Sequence, residues 1–479
     1  MGAVTAAASQ RQSTGPRPQR SPLSTLQRIG LIVAAVIPPL PLFLDVPGLE
    51  PVGERMLAIF LLAIILWVTE AVPLVATAVL VIFLEVLLIS DQALLPVPDE
   101  VPTAASFYAS LANPVIILFL GGFLIADAAA KYGLDRNLAA VLLRPFGSSA
   151  RTTVLGLMVI TASLSMFMSN TATTATMFAV LLPVLMALPK GVARTGFALC
   201  IPVAANVGGI ATPVGSPPNA IALAALGERG LRITFLDWML ATLPVMLILL
   251  VVAWWLITWR FVPRDVTVHI DLDSRFDLST RAVTFYVVAA VTVLLWLTEP
   301  IHGIPATTVG FLPVVVLLLT QVMSGEDIKV LQWPVLWLVA GGISLGAGVA
   351  SSGLDEWLIG LVSWSALPAG LILVVIGALA LLLGTVISNS ATANLLIPIA
   401  ITLAVTVGVE PTVLAVVVAL ICGLGMALPI STPPNAIAYA TGEVTTGQMA
   451  SVGAVIGLLG LVLITVVMPP VWAALGLLT

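Results

Sequence analysis

From residue 26 onward the chain is a succession of apolar blocks, most of them about as long as a membrane-crossing helix requires, parted by short polar stretches. Within a block the apolar residues run on without the i, i+3, i+4 spacing of an amphipathic helix, so a block has no polar face for water and must meet lipid or other blocks. The blocks lie at 26–44, 53–72, 73–90, 113–130, 195–226, 235–262, 282–299, 304–323, 334–350, 411–440 and 452–478, with two longer units at 152–188 and 368–407. The pattern predicts an all-α polytopic membrane protein. Each longer unit has a polar cluster at its centre and room for two tight spans or for one re-entrant hairpin. In either case it begins and ends on the same side, which leaves eleven other spans and puts the chain ends on opposite sides.

Residues 1–24 are polar and rich in Pro, Ser and Arg, the composition of a disordered tail. No small-residue cleavage pattern closes the first apolar block, so 25–47 reads as the first transmembrane helix. With the N-terminus in the cytoplasm, only Arg55, Arg229 and Arg232 of the 18 Lys and Arg fall outside. That bias obeys the positive-inside rule. The expected location is the plasma (inner) membrane, multi-pass, with a cytoplasmic tail and an external C-terminus.

The two halves of the chain match each other. Pro114-Val115, Gly121-Gly122 and Gly133-Leu134-Asp135 recur as Pro334-Val335, Gly341-Gly342 and Gly353-Leu354-Asp355, at an offset of 220. Ser169-Asn170 recurs as Ser388-Asn389 at 219, and Pro217-Pro218-Asn219-Ala220-Ile221-Ala222 recurs unchanged from Pro433 to Ala438 at 216. Leu66-Trp67 and Thr69-Glu70 return as Leu295-Trp296 and Thr298-Glu299 at 229. Matches in order at nearly one offset indicate duplication. Repeat 1 spans 53–262, with its hairpin unit at 151–190 and a broken helix at 195–226. Repeat 2 spans 282–479, with a hairpin unit at 367–408 and a broken helix at 411–440. An odd number of spans per repeat inserts the second copy upside down, the arrangement of secondary transporters.

Each half holds two polar segments inside apolar surroundings. Ser169-Asn170-Thr171-Ala172-Thr173-Thr174 and its partner Ser388-Asn389-Ser390-Ala391-Thr392 are poor choices for lipid contact; a turn between half-helices, buried in protein, lets their oxygens coordinate an ion. Gly215-Ser216-Pro217-Pro218-Asn219 and Ser431-Thr432-Pro433-Pro434-Asn435 carry consecutive prolines, which remove two amide donors and interrupt the helix. The second half-helix then starts at the break with unpaired amides and a positive dipole end, and an anion is its natural ligand.

Composition narrows the chemistry. Charged residues make up 9% and mean hydropathy is +1.16, against about 25% charged in soluble domains. No basic patch suggests nucleic acid, and Cys200 and Cys422 read as buried small hydrophobes. No Asp, Glu or His lies at 137–227, 357–409 or 411–442, so a proton relay or an intramembrane enzyme site has nothing to work with. These segments also lack cationic anchors, Lys190 and Arg194 falling in a loop, so cations from solution must neutralise a bound dianion. Hydroxyl, amide and carbonyl oxygens suit sodium. Glu85 and Asp127 lie near block ends and read as snorkelling or locally paired, and Glu70 and Glu299 read as anchors beside tight turns.

On these motifs the chain resembles the divalent anion:sodium symporters, which carry dicarboxylates, citrate or sulfate. The resemblance implies 11 transmembrane helices plus two re-entrant hairpins, divided into scaffold and transport (elevator) domains and assembled as a homodimer. It places the substrate on Asn170, Thr171, Asn389 and Ser390, with Ser216, Pro217, Thr432 and Pro433 closing the site. It places one sodium among Ser165, Ser169, Asn170 and Gly215, and a second among Thr385, Ser388, Asn389 and Ser431. Gly384 stands where the second copy would repeat Ser165, and Ser390 where a Thr is common. The function expected is sodium-coupled import of a C4-dicarboxylate such as succinate, malate or fumarate, with no organic cofactor. A sodium-coupled sulfate transporter, a dicarboxylate exchanger and an anion channel are the alternatives.

Overall fold

The computed structural model describes residues 23–98, 101–147, 149–188, 191–264, 266–267 and 275–478. Most of the expected tail, the end of the 151–190 hairpin unit and Thr479 lie outside the described residues. Among the described residues, ten helices are long and apolar enough to cross a membrane.

Helix α1 (Thr25–Val36) opens with a reciprocal cap between Ser24 and Gln27. Pro38, Pro39 and Pro41 lack amide donors, so it continues only as a tight turn, Leu40–Leu42. Helices α2 (Pro51–Thr69), α3 (Leu74–Ile89) and α4 (Pro114–Lys131) follow. Glu70 ends α2 in the left-handed region at φ 46°. A short α5 (Leu134–Leu143) leads into the first hairpin, α6 (Ala150–Ser165) and α7 (Asn170–Ala187). Then come α8 (Val192–Gly209), α9 (Pro217–Glu228) and the long α10 (Phe235–Phe261).

The second half runs α11 (Thr280–Leu297), α12 (Phe311–Leu319), α13 (Trp333–Ser351) and α14 (Leu354–Gly360). Its hairpin is α15 (Ala369–Val386) with α16 (Asn389–Val407), and its broken helix is α17 (Pro411–Gly423) with α18 (Pro433–Ala440). Helix α19 (Thr446–Val462) passes through a wider π turn, Leu463–Val467, into α20 (Met468–Leu475). Pro469 and Pro470 cannot donate to the preceding turn, which accounts for the irregularity.

Three expectations are refined. The block at 304–323 is divided into Ala306–Val309 and α12, because Pro313 cannot donate back to Val309 and Gly310 crosses α4 closely. A methyl at Gly310 would lie 2.9 Å from the Leu118 α-carbon. Arg194 sits in the first turn of α8 rather than in a loop, donating to the Leu188 carbonyl and pairing with Glu443 at 3.1 Å. Glu85 does not snorkel: it is fully buried between α3 and α13, where the Ser344 hydroxyl donates to it.

The repeated motifs have matching structural jobs. Trp67 and Trp296 each donate their indole N–H across the following turn, to Leu74 and Ala306 carbonyls. Gly133 and Gly353 enter α5 and α14 at φ 63° and 69°, a conformation glycine adopts without strain. The buried Asp135 and Asp355 that follow accept from Thr176 and Thr402, tying each short helix to the second arm of its hairpin. At the centre, α8 and α17 are buried along nearly their whole lengths. Small residues permit this: a methyl at Gly208 would lie 2.5 Å from the Ala162 backbone of α6.

Candidate functional site

Both hairpins turn, and both broken helices part, at one cavity of about 510 Å³. Its lining includes Asn170, Thr171, Ser216, Pro217, Asn389, Ser390, Thr432 and Pro433, all eight residues expected to contact substrate. Ser169, Gly215, Ser388 and Ser431 line it as well, whereas Ser165 and Thr385 stand just behind. Among the described residues, no Lys or Arg lines this cavity.

Four helix N-termini meet here, those of α7, α9, α16 and α18, so the dipoles favour negative charge between them. The prolines themselves offer no amide. Pro217, Pro218, Pro433 and Pro434 have no N–H, and the next amides are engaged: Asn219 donates to the Ser216 carbonyl at 3.1 Å and Asn435 to Thr432 Oγ1 at 3.3 Å. In the hairpins, Ser169 Oγ accepts from Ala172 N at 3.3 Å and Ser388 Oγ from Ala391 N at 3.2 Å. Their carbonyls take Thr173 N and Thr392 N. The N–H groups of Asn170, Thr171, Asn389 and Ser390 have no partner among the described residues. The N–H groups of Ser169 and Ser388, and those of Ser216 and Thr432 at the breaks, likewise have no partner among the described residues, so the hairpin tips offer three free amides each and the breaks one each.

The breaks are stitched by the asparagines that follow the prolines. Asn219 donates to the carbonyls of Gly209 and Thr212 at 3.0 and 2.7 Å, and Asn435 to those of Met426 and Leu428 at 2.7 and 2.9 Å. Thr212 and Leu428 are equivalent at the offset of 216. Asn206 joins the halves, donating to Thr432 Oγ1 and Asn435 Oδ1 at 3.2 Å each.

Behind the first tip, oxygens converge. Asn170 Oδ1 lies 2.6 Å from Ser165 Oγ, 3.1 Å from the Gly215 carbonyl and 3.3 Å from that of Ala205. Two carbonyl oxygens facing an amide oxygen repel unless the amide turns to donate or a cation sits among them. Hard oxygen ligands of this kind suit an alkali cation. Ser169 Oγ is turned away from this set, toward Ala172 and Gln332. Behind the second tip, Asn389 Oδ1 is buried without a partner among the described residues. Thr385 Oγ1 donates back to the Leu381 carbonyl, while the Thr385 carbonyl accepts from Ser431 Oγ at 2.6 Å.

Four contributors escape a reading of the sequence. Glu70 and Gln332 line the cavity, Asn206 bridges the halves, and the Ala205 carbonyl belongs to the oxygen set. Glu299, the repeat of Glu70, lines a different cavity and anchors Phe235 N. Asn206 matches Cys422 and Gln332 matches Ala112, so the duplication gave no signal for either. A carbonyl gives none by nature.

Comparison with known proteins gives the family. Residues 25–478 match the family model described as the sodium:sulfate symporter transmembrane region. A sodium-dependent dicarboxylate transporter of Staphylococcus saprophyticus is 31% identical over 93% of this chain and 92% of its own. One from Staphylococcus aureus (strain MRSA252) is also 31% identical, over 94% and 92%. In structure, the Alcanivorax borkumensis YdaH transporter aligns at a TM-score of 0.56 and 16% identity, covering 87% of this chain and 99% of that one. Neisseria gonorrhoeae MtrF aligns at 0.51 and 11%, covering 84% and 94%, a likeness of fold. With nearly the whole chain inside that family model, the protein belongs to the divalent anion:sodium symporter family, integral membrane transporters rather than enzymes.

Proposed function

We propose that this protein is a sodium-coupled importer of C4-dicarboxylates such as succinate, malate or fumarate. The observation that carries the reading is the free amides at both hairpin tips, those of Asn170, Thr171, Asn389 and Ser390 among them, in a cavity without a cationic side chain among the described residues. A dicarboxylate has two anionic ends and the cavity has two equivalent donor sets, Asn170 with Thr171 and Asn389 with Ser390. Each carboxylate takes one set, and Ser216-Pro217 and Thr432-Pro433 close around it. Charge balance then falls to sodium: one ion within reach of Ser165, Asn170 and the Gly215 and Ala205 carbonyls, a second near Asn389, Thr385 and Ser431. The names of the staphylococcal relatives support both halves of this reading.

Energetics favour coupling. Moving one charge against 100 mV costs about 2.3 kcal/mol, so a dianion entering a negative cell costs about 4.6 kcal/mol, which two sodium ions cancel. Two inverted repeats related by the offsets above give the carrier its two access states. The hairpins and broken helices move with their cargo as a transport domain against a scaffold of the early helices of each repeat, within a homodimer whose N-termini face the cytoplasm.

The test is labelled succinate uptake into proteoliposomes under an inward sodium gradient, with potassium as control and excess sulfate as competitor. Sodium-dependent uptake that resists sulfate is the expected result. Uptake that ignores sodium and requires internal dicarboxylate would make the protein an exchanger, and strong competition by sulfate would change the substrate class.

A further inference from the structure

The hairpin tips cap their helices identically and differ in what reaches them from outside. Ser169 Oγ accepts Ala172 N and, in addition, Gln332 Nε2 at 3.0 Å. Ser388 Oγ accepts Ala391 N alone among the described residues. Gln332 precedes α13 in the second repeat, and the position that matches it in the first, at the offset of 220, is Ala112. Alanine has no group to offer.

Gln332 is held by the protein around it. Asp327 pairs with Lys131 at 2.7 Å, and Lys131 and Tyr132 both donate to the Val322 carbonyl at 3.0 Å. Leu331 is buried and the Trp333 indole donates to the Ile328 carbonyl at 2.9 Å. The donor is therefore delivered by a segment fixed to the end of α4, not by the hairpin itself.

A second cavity, of about 560 Å³, has the matching lining. Val115, Leu118 and Glu299 border it, and these are the repeat equivalents of Val335, Leu338 and Glu70 in the first cavity. Among the described residues, no hairpin-tip residue lines the second cavity; both tips lie in the first. Ala112 adjoins Asn113 at the second cavity's edge, as Gln332 borders the first.

We propose that Gln332 is a positioning residue that holds the first hairpin tip in the conformation of this structure, and that its missing counterpart at Ala112 leaves the two-fold-related conformation without an equivalent bond. The duplicated carrier is biased toward one access state by a single unduplicated side chain. The inference rests on the two-state reading above. One neutral hydrogen bond corresponds to about a two- to tenfold change in the ratio of the states.

The test uses the full-length chain in proteoliposomes, with Cys200 and Cys422 replaced by Ala. In the two-fold-related state Ser388 approaches Ala112, so Ala112→Cys with Ser388→Cys reports that state by disulfide formation. Adding Gln332→Ala should raise the cross-linking rate about two- to tenfold, while thermal stability stays unchanged. Gln332→Glu, which keeps the shape and has no N–H to donate, should raise it likewise. Separately, in the chain with Ser388 intact, Ala112→Gln should change the alkylation rate of a Val335→Cys probe by a similar factor, in the sense opposite to Gln332→Ala. Cross-links that form as fast with Gln332 in place as with Gln332→Ala would overturn the role of Gln332 and leave the two-state reading standing. No cross-link in any variant would overturn that reading and the inference with it.

Discussion

The first and second hairpin tips share a backbone plan and part company in their side chains. Both begin a helix with Ser then Asn, both cap it through the serine hydroxyl, and both leave the amides of the first two helical residues free. At the first tip, Ser165 adds a hydroxyl to the oxygens around Asn170, and Gln332 reaches Ser169. At the second, Gly384 replaces Ser165, and among the described residues Asn389 Oδ1 is unpartnered and no outside side chain bonds Ser388. On the proposed function, the difference means that substrate contact, made by backbone and duplicated asparagines, is shared between repeats, whereas ion coordination and conformational bias are set separately in each.

If substrate contact is shared, Asn170→Ala and Asn389→Ala should each reduce uptake to background while the protein still inserts and purifies normally. Normal uptake in either would dissolve the equivalence of the tips. Packing behind the tips sets the next largest effect. A methyl at Gly425 would lie 2.7 Å from the Gly384 carbonyl carbon and 2.8 Å from Thr385 N, both backbone, whereas one at Gly209 meets the Asn170 side chain. Gly425→Ala is therefore expected to cost about 1–3 kcal/mol of thermal stability, and Gly209→Ala to act mainly on sodium activation. Equal melting temperatures would refute that division.

Ion coordination can be exchanged between the tips. Ser165→Gly should raise the sodium concentration for half-maximal uptake about tenfold, the scale of a lost bond to a charge. Gly384→Ser should lower it about two- to threefold, since a methyl there stands 3.5 Å from Asn389 Oδ1 and 3.3 Å from the Cys422 carbonyl, close but tolerable. A sodium dependence indifferent to both would place the ions elsewhere.

The smallest effect concerns the segment that carries Gln332. The hydrogen bond from Lys131, aided by Ser324 N, holds the Asp327 carboxyl down to about 2 from 3.8. A carboxyl lowered on folding stabilises the folded form above its unfolded value and loses that contribution as pH falls through its folded value. The pair is thus intact throughout the neutral range. The ratio of Asp327→Asn to native uptake should stay flat from about pH 5 to pH 8; a slope would assign titration near the site to another group.

Much of this is legible because duplication writes a site twice. Ser169-Asn170 and Ser388-Asn389, and the two Pro-Pro-Asn breaks, stand out against apolar surroundings and against each other. Glu70 reads as a turn anchor in the sequence, as its repeat Glu299 does; only the packed chain separates the two, putting Glu70 in the cavity and Glu299 on Phe235 N. The prolines mark the breaks and remove two of the amides that each helix start would otherwise offer, leaving those of Ser216 and Thr432.

The sequence by itself determined that the chain is a membrane protein, that it is duplicated, and which segments are too polar to face lipid, because hydropathy and repeat spacing are properties of the linear order. Tertiary structure decided which oxygens converge on Asn170, that the amides of both hairpin tips are left free at one cavity, and that Gln332 touches one tip only. Those facts depend on residues far apart in the chain, such as Ser165 with Ala205 or Ser169 with Gln332, and on carbonyls that every residue carries. Proximity of that kind is created by packing, and no local pattern encodes it.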